Sequence, residues 1–340
     1  MKKRLFVKLI IINLMFFIIS INLVGCSQRN ENNIQSVRIA HFPNITHSQA
    51  LVGREKGLFE SAFGEKVNVE WKAFNAGPAQ IEAFFANELD IGYIGPVPAI
   101  NGFVRSRGDI RIISGATNAG AILISRKDII INDLQSLKGK KIAVPQFGNT
   151  QDILLRSLLN ENGLQDTAKG GDVNIIQAPN PDILTLFKNG SIDAAFVPEP
   201  WGSIIIKETE ANIIFDFNEV WNDGQYSTAL VIVRTKFLKD HTEIVEKFIN
   251  THVEITNYIN NNPDESKEII NEQLLKLTGR SLEKEILDDS FRRLIVTNNP
   301  EEESLFKFVD ELVKLGFYRT TPDTEELLDI TILNKVLKNK

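Results

Sequence analysis

Arg38-Ile39-Ala40 and Lys141-Ile142-Ala143 stand 103 residues apart, and the same shift carries much of the chain onto itself. It places Leu51 on Leu154, Pro78 on Pro181, Phe84 on Phe187, Leu89-Asp90 on Ile192-Asp193 and Tyr93-Ile94 on Phe196-Val197. Only two copies are visible, which points to two similar lobes rather than a solenoid.

Each copy runs through one order of elements. A short β-rich run opens it (37–42; 141–145), a helical segment follows (47–60; 150–162), and a second strand comes next (67–73; 173–177). A helix then opens on Pro78 or Pro181. Proline suits the first helical position, where its missing N–H has no intrahelical use. A third strand closes the copy (90–94; 193–197). The helical segments carry apolar stripes, as in Ile81, Phe84 and Phe85, or Leu154 and Leu158. This alternation predicts an α/β fold in which each lobe is a mostly parallel sheet flanked by helices.

Further β-rich runs lie at 111–115, Ala121–Ser125 and Ser227–Arg234. Residues 121–125 and 229–233 read as the two crossings between lobes. The first lobe is then 37–124 with 229–340, and the second is 125–228. The tail reads as helices over 238–261, 263–277, 282–294, 300–315 and 324–337, packing back on the first lobe.

In an open parallel sheet, ligands bind beyond the carboxyl ends of the strands. Helix N-termini there offer unpaired N–H groups and partial positive charge. Two lobes joined by two crossings would turn these edges toward each other. In the first lobe the turns are Pro43-Asn44-Ile45-Thr46-His47, Asn75-Ala76-Gly77-Pro78 and Gly95-Pro96-Val97-Pro98. In the second they are Gln146-Phe147-Gly148-Asn149-Thr150-Gln151, Pro179-Asn180-Pro181 and Pro198-Glu199-Pro200-Trp201.

These turns hold Asn, Thr, Gln, Gly and one His but no Lys or Arg. That set suits a small anion held by neutral donors. The candidate ligand-binding residues are Asn44, Thr46, His47, Asn75, Gly77, Gly95 and Pro96 in the first lobe, with Thr117 and Thr228 near the crossings. From the second lobe come Gln146, Gly148, Asn149, Thr150, Gln151, Glu199 and Trp201. Glu199, the only acid among the turns, is placed to take a ligand amine or to fix a neighbouring side chain; Trp201 is placed to form an apolar wall. Asn, Thr and Gln at helix starts are also ordinary N-caps, so these positions carry both readings.

Composition narrows the class. A chain of 340 residues with 43% hydrophobic content can bury a large core in about two lobes. Lys2, Lys3 and Arg4 precede an apolar run over 5–24 that ends Leu23-Val24-Gly25-Cys26. This is the layout of a secretory signal, of the bacterial lipoprotein kind in which cleavage precedes a Cys that takes a diacylglyceryl group. An uncleaved membrane anchor is the competing reading, since the run is almost long enough to span a bilayer. The expected layout is a signal peptide over 1–25, a lipidated Cys26 and a polar tether over 26–36. That places the protein outside the cytoplasm, on the membrane surface.

Cys26 is the only Cys, which excludes internal disulfides and Cys-based metal clusters. Loss of residues 1–25 removes four positive charges and takes the formal charge from −6 to −10. An acidic chain lacks the basic stripe that nucleic acid needs. His41, His47, His241 and His252 lack metal-ligand spacing. Neither a Gly-rich phosphate loop nor a nucleophile-elbow Ser appears. No cofactor, metal or catalytic residue is expected. The expected partner is a small anionic solute, and the expected state is a monomer.

The turns also carry a family resemblance. His41-Phe42-Pro43-Asn44-Ile45-Thr46-His47, Phe74-Asn75-Ala76-Gly77-Pro78 and Asp90-Ile91-Gly92-Tyr93-Ile94-Gly95-Pro96 resemble the aliphatic-sulfonate, taurine and nitrate group of ABC-transporter solute-binding proteins. So do Val144-Pro145-Gln146-Phe147-Gly148-Asn149-Thr150-Gln151-Asp152 and Val197-Pro198-Glu199-Pro200-Trp201. The resemblance covers about residues 36–275, with the aliphatic-sulfonate binders nearest. It implies a two-lobed type II periplasmic-binding fold, closure around the solute, and delivery to an ABC permease driven by a cytoplasmic ATPase. From the turns themselves, a sulfonate head is expected between the helix starting near Thr150 and the turns at Thr46 and Gly77, with the alkyl part toward Trp201 and Phe147. Taurine, nitrate, bicarbonate and a thiamin-precursor pyrimidine are the alternative solutes. A surface interaction protein without a solute is the alternative of another class. A related-fold enzyme that makes the thiamin pyrimidine carries a Cys-rich motif, which this chain lacks.

Overall fold

The structure is a computed structural model and describes residues 36–339. The expected signal peptide, the lipidated Cys26 and all of the expected tether except Ser36 lie outside the described residues. Among the described residues, eleven strands form two sheets. In chain order they are β1 (Ser36–His41), β2 (Asn68–Ala73), β3 (Ile91–Ile94), β4 (Ile110–Ala119), β5 (Ala121–Ser125), β6 (Lys141–Val144), β7 (Asn174–Gln177), β8 (Ala194–Pro198), β9 (Asn212–Phe215), β10 (Ser227–Arg234) and β11 (Leu294–Val296). The first sheet has the order β11-β4-β10-β3-β1-β2 and the second β7-β6-β8-β5-β9.

The duplication is built into the ladders. β1 pairs in parallel with β2 and β3, and β6 does the same with β7 and β8. In each copy an Asp just before the third strand clasps the first. The Arg38 N–H donates to Asp90 Oδ2 at 3.0 Å, and the Lys141 N–H donates to Asp193 Oδ2 at 2.9 Å. The backbone returns both bonds, from Asp90 N–H to Arg38 O and from Asp193 N–H to Lys141 O.

Each parallel trio is completed by an antiparallel strand from outside its copy: β10 lies on β3, and β5 lies on β8. β5 pairs only within the second sheet, so the chain changes sheets at Gly120 rather than near residue 124. Gly120 has φ +81°, and a Cβ there would run into the Leu294 side chain, so the sharp turn between sheets needs glycine. The return falls between β9 and β10, before Ser227. The expected boundaries cut both strands because a β-rich run looks the same whether it crosses between lobes or pairs inside one.

Several helix expectations change: 238–261 breaks at His241 into Thr235–Asp240 and Thr242–Asn261, and 324–337 shortens to Thr331–Lys338. The helix expected over 47–60 is broken at Gly57 (φ +62°) into Ser48–Glu55 and Leu58–Phe63. The helix expected over 282–294 is Lys284–Arg292, and Leu294 opens β11, which pairs antiparallel with β4. The tail also does not pack on the first lobe alone. Helix Pro263–Thr278 packs on Ser48–Glu55, but Lys284–Arg292 packs on Trp201–Thr209 of the second lobe. Helix Glu302–Lys314 touches both Pro96–Ser106 and Thr150–Glu161. A buried hydrogen bond holds it to the second lobe, Ser157 Oγ donating to Glu311 Oε2 at 2.6 Å.

Candidate functional site

The starts of five helices meet around one small chamber of about 40 Å³: His47 before Ser48–Glu55, Gly77 of Gly77–Phe85, Gly95 before Pro96–Ser106, Thr150 of Thr150–Glu161 and Asn180 of Asn180–Lys188. First-turn amides have no intrahelical acceptor and carry partial positive charge. The walls add Asn44, Thr46, Asn75, Gln151 and Thr228. Among the described residues, no Lys, Arg, Asp or Glu lines this chamber.

Its polar side chains divide by whether a partner already holds them. Asn44 Oδ1 accepts from both the Thr46 N–H and the Thr46 hydroxyl, each at 2.9 Å, and Asn149 Oδ1 accepts from the Asp152 N–H at 2.8 Å. Those two residues are caps. The Thr228 hydroxyl donates to Ala119 O. Thr150 and Asn180 differ: Thr150 Oγ1 and Asn180 Oδ1 are buried with no partner, in residues only 3% and 8% exposed. An unpaired buried polar atom costs about 1–3 kcal/mol, so a ligand that reaches both recovers what folding gave up.

His47 lines the chamber as a neutral ring. The Phe42 N–H donates to its Nδ1 at 3.1 Å, which leaves the proton on Nε2, and Phe42 stacks on it at 4.4 Å. Burial, and then the neighbouring His41, hold its pKa well below 6.5. His47 therefore presents a donor without a charge.

Several expected residues lie outside. Thr117, Gln146, Gly148, Pro96 and Glu199 do not line the chamber. The Thr117 hydroxyl donates to Thr46 O at 2.7 Å and so holds the Thr46 turn from behind. The Gly148 N–H is taken by Asp152 Oδ2 at 2.8 Å, and Gln146 O accepts from the Asn149 N–H. Glu199 is fully buried and takes hydrogen bonds from the Ser203 N–H and hydroxyl, the Ser290 hydroxyl and Arg293. It fixes its neighbours rather than facing the cleft. Phe147 is 43% exposed and lies under the Arg156 guanidinium, so it forms no wall.

A larger chamber of about 360 Å³ adjoins the first and shares Phe42, Asn44, Asn75 and Asn180 with it. Trp201 lines it with Phe74, Leu184, Ile204, Leu274 and Leu282. Leu274 and Leu282 belong to the tail and lie beyond any strand-to-helix turn, so the rule that found the turns had no reach there. Asn180 did carry a signal, its place between two prolines in the turn Pro179-Asn180-Pro181. Among the described residues, no group of three or more His, Cys, Asp or Glu side chains is placed to hold a metal ion.

Two α/β lobes that meet at their helix N-termini around a cleft define the fold of solute-binding proteins. The chain belongs to the NMT1-like family, which matches residues 30–273. It is 27% identical over 328 residues to a proposed aliphatic sulfonates-binding protein of Bacillus subtilis (strain 168), covering 93% of each chain. It is 24% identical to the taurine-binding periplasmic protein of Escherichia coli (strain K12), covering 68% of this chain and 69% of that one. Among solved structures, the alkanesulfonate-binding protein SsuA from Xanthomonas axonopodis pv. citri bound to MOPS superposes with a TM-score of 0.69 at 17% identity, covering 86% of this chain and 96% of that one. The periplasmic nitrate-binding protein NrtA from Synechocystis PCC 6803 gives 0.74 at 14% identity, covering 90% and 89%. At such identities the likeness speaks for the fold. These relatives and neighbours are binding proteins, not enzymes.

Proposed function

We propose that this chain is the solute-binding component of an ABC import system and that it captures a sulfonate in the interlobe cleft. The observation that carries the reading is the uncharged chamber where five helix starts meet, with Thr150 Oγ1 and Asn180 Oδ1 unpartnered in its walls. The Thr150 hydroxyl, the first-turn amides and, in its other orientation, the Asn180 amide NH2 are donors for a compact oxyanion. The sulfonate- and taurine-binding relatives support the same head group.

Cys26 is the proposed lipid attachment point, a membrane permease the proposed partner, and a monomer the proposed state. No helix among the described residues is long and apolar enough to cross a membrane.

Thermal melts of the full chain against sulfonates, taurine, nitrate, bicarbonate and pyrimidines test the head group. A solute at a hundred times its Kd adds about 2.7 kcal/mol. Stabilisation by sulfonates is the expected result; stabilisation by nitrate or by a pyrimidine alone would refute the sulfonate reading.

A further inference from the structure

We infer that the solute carries a bulky apolar tail of aryl size, so that the ligand class is an arenesulfonate rather than a short sulfonate such as taurine. The inference rests on the sulfonate reading of the small chamber and extends it to the large one.

The two chambers differ in size and chemistry. The small one, about 40 Å³, fits a compact polar head; the large one, about 360 Å³, is lined mainly by apolar side chains, with Thr185, Thr278, Arg280 and the three shared asparagines as its polar groups. At about 30 Å³ for each water-sized group, the large chamber takes roughly a dozen non-hydrogen atoms. They share Phe42, Asn44, Asn75 and Asn180, so one molecule can occupy both. Asn180 sits at the junction, 8% exposed, with its Oδ1 unpartnered. That is the position where a head group passes into a tail.

Three aromatic side chains line the tail chamber, Phe42, Phe74 and Trp201. Aromatic walls favour offset or edge contacts with a ring. The far wall is Leu274 and Leu282, from the tail segment, with Thr278 and Arg280 between them in sequence. Arg280 is the only charged residue lining the chamber among those described, and it is already paired with Glu208 of the second lobe. It leaves the wall apolar in character. Among the described residues, neither chamber is lined by a carboxylate that a taurine amine could meet.

Calorimetric titration of the full chain with methanesulfonate, naphthalene-2-sulfonate and the uncharged naphthalene-2-sulfonamide tests this. Each buried CH₂ gives about a fourfold gain in affinity, so the naphthalene sulfonate is expected to bind at least a hundredfold tighter than methanesulfonate. Thr185→Trp and Thr278→Trp fill the chamber from opposite sides at exposed positions. Each should remove at least tenfold of that preference and leave methanesulfonate binding unchanged. Equal affinity for the two sulfonates overturns the tail inference and leaves the head reading intact. Equal affinity for the naphthalene sulfonate and sulfonamide overturns the head reading and leaves the tail. If none of the three binds, both fall.

Discussion

Gly95 and Thr150 meet across the cleft so closely that a Cβ on Gly95 would lie 2.6 Å from the Thr150 hydroxyl oxygen. The contact joins the two lobes, so a methyl group there presses on their apposition and not on either core. Gly95→Ala is expected to weaken ligand binding about tenfold with an unchanged melting temperature, because Thr150 must turn away or the cleft must open. Small-angle scattering of the liganded variant should give a larger radius than the liganded wild type. A variant that binds and scatters like the wild type would show that the two lobes do not meet at Gly95 when ligand is bound.

Thr150→Val keeps the shape and removes the unpartnered hydroxyl. Loss of one hydrogen bond to a charged ligand costs about 1.5–3 kcal/mol, or roughly ten- to a hundredfold in Kd. Because Asn149 supplies the cap, the free protein should melt no lower than the wild type. A lower melting point with full affinity would make Thr150 structural and move the anion elsewhere.

Acid should unfold this protein through its histidines. His41 and His252 are held down to about 4, mainly by burial, and His47 well below its ordinary value for the same reason. Their folded values lie below the unfolded value near 6.5, so the unfolded chain takes up protons first. The stability they represent is present above about pH 6.5 and is lost as pH falls toward 4. Each titrating His adds a slope of about 1.4 kcal/mol per pH unit. Buried Glu199 and Asp152, pushed up by burial, act with the opposite sign nearer the carboxylate range. His252→Gln can still accept from Tyr93 and donate to Gly115 O, and should flatten the curve by about a third. A wild-type melting temperature that is level between pH 7 and 5 would contradict this.

Arg293 holds the tail to the second lobe. It donates to Glu199 Oε1 at 3.1 Å and to Asp216 Oδ1 at 2.7 Å. Arg293→Met leaves Glu199 fully buried without its counter-charge, at a cost of about 3 kcal/mol. The loss should shrink from pH 8 to pH 5, because Glu199, already pushed up by burial, protonates more readily without the guanidinium. Adding Glu199→Gln should recover much of the loss. Denaturant titration checks both variants; a loss that is constant with pH points to lost packing by the Arg293 stem.

The parallel trios were legible because each strand is a short β-rich run followed by a helix with its own start signal. Thr150 after Gly148-Asn149, and Pro78 or Pro181 at a first turn, fall where the periodicity puts them. What could not be read was partnership. β9 is four residues, Asn212–Phe215, and β11 is three, too short for period two to register. Nothing in Leu274 or Leu282 marks it as a cleft wall and not as ordinary helix core. The turns told which helix starts face the cleft, but not which side chains are spent on capping: Asn149 is, and Thr150 next to it is not.

The exchange of antiparallel strands sets an order of birth. Every strand of the second sheet comes from the continuous stretch 121–215, so that lobe can close as soon as it is synthesised. The first sheet cannot. β3 and β4 do not pair with each other; each waits for β10, more than a hundred residues after β4. Until then β3 presents an open, apolar edge, the kind that recruits other chains. A cut after Ala119 would release not a lobe but a β1–β3 trio with that edge bare, whereas a fragment over 121–215 keeps its sheet whole.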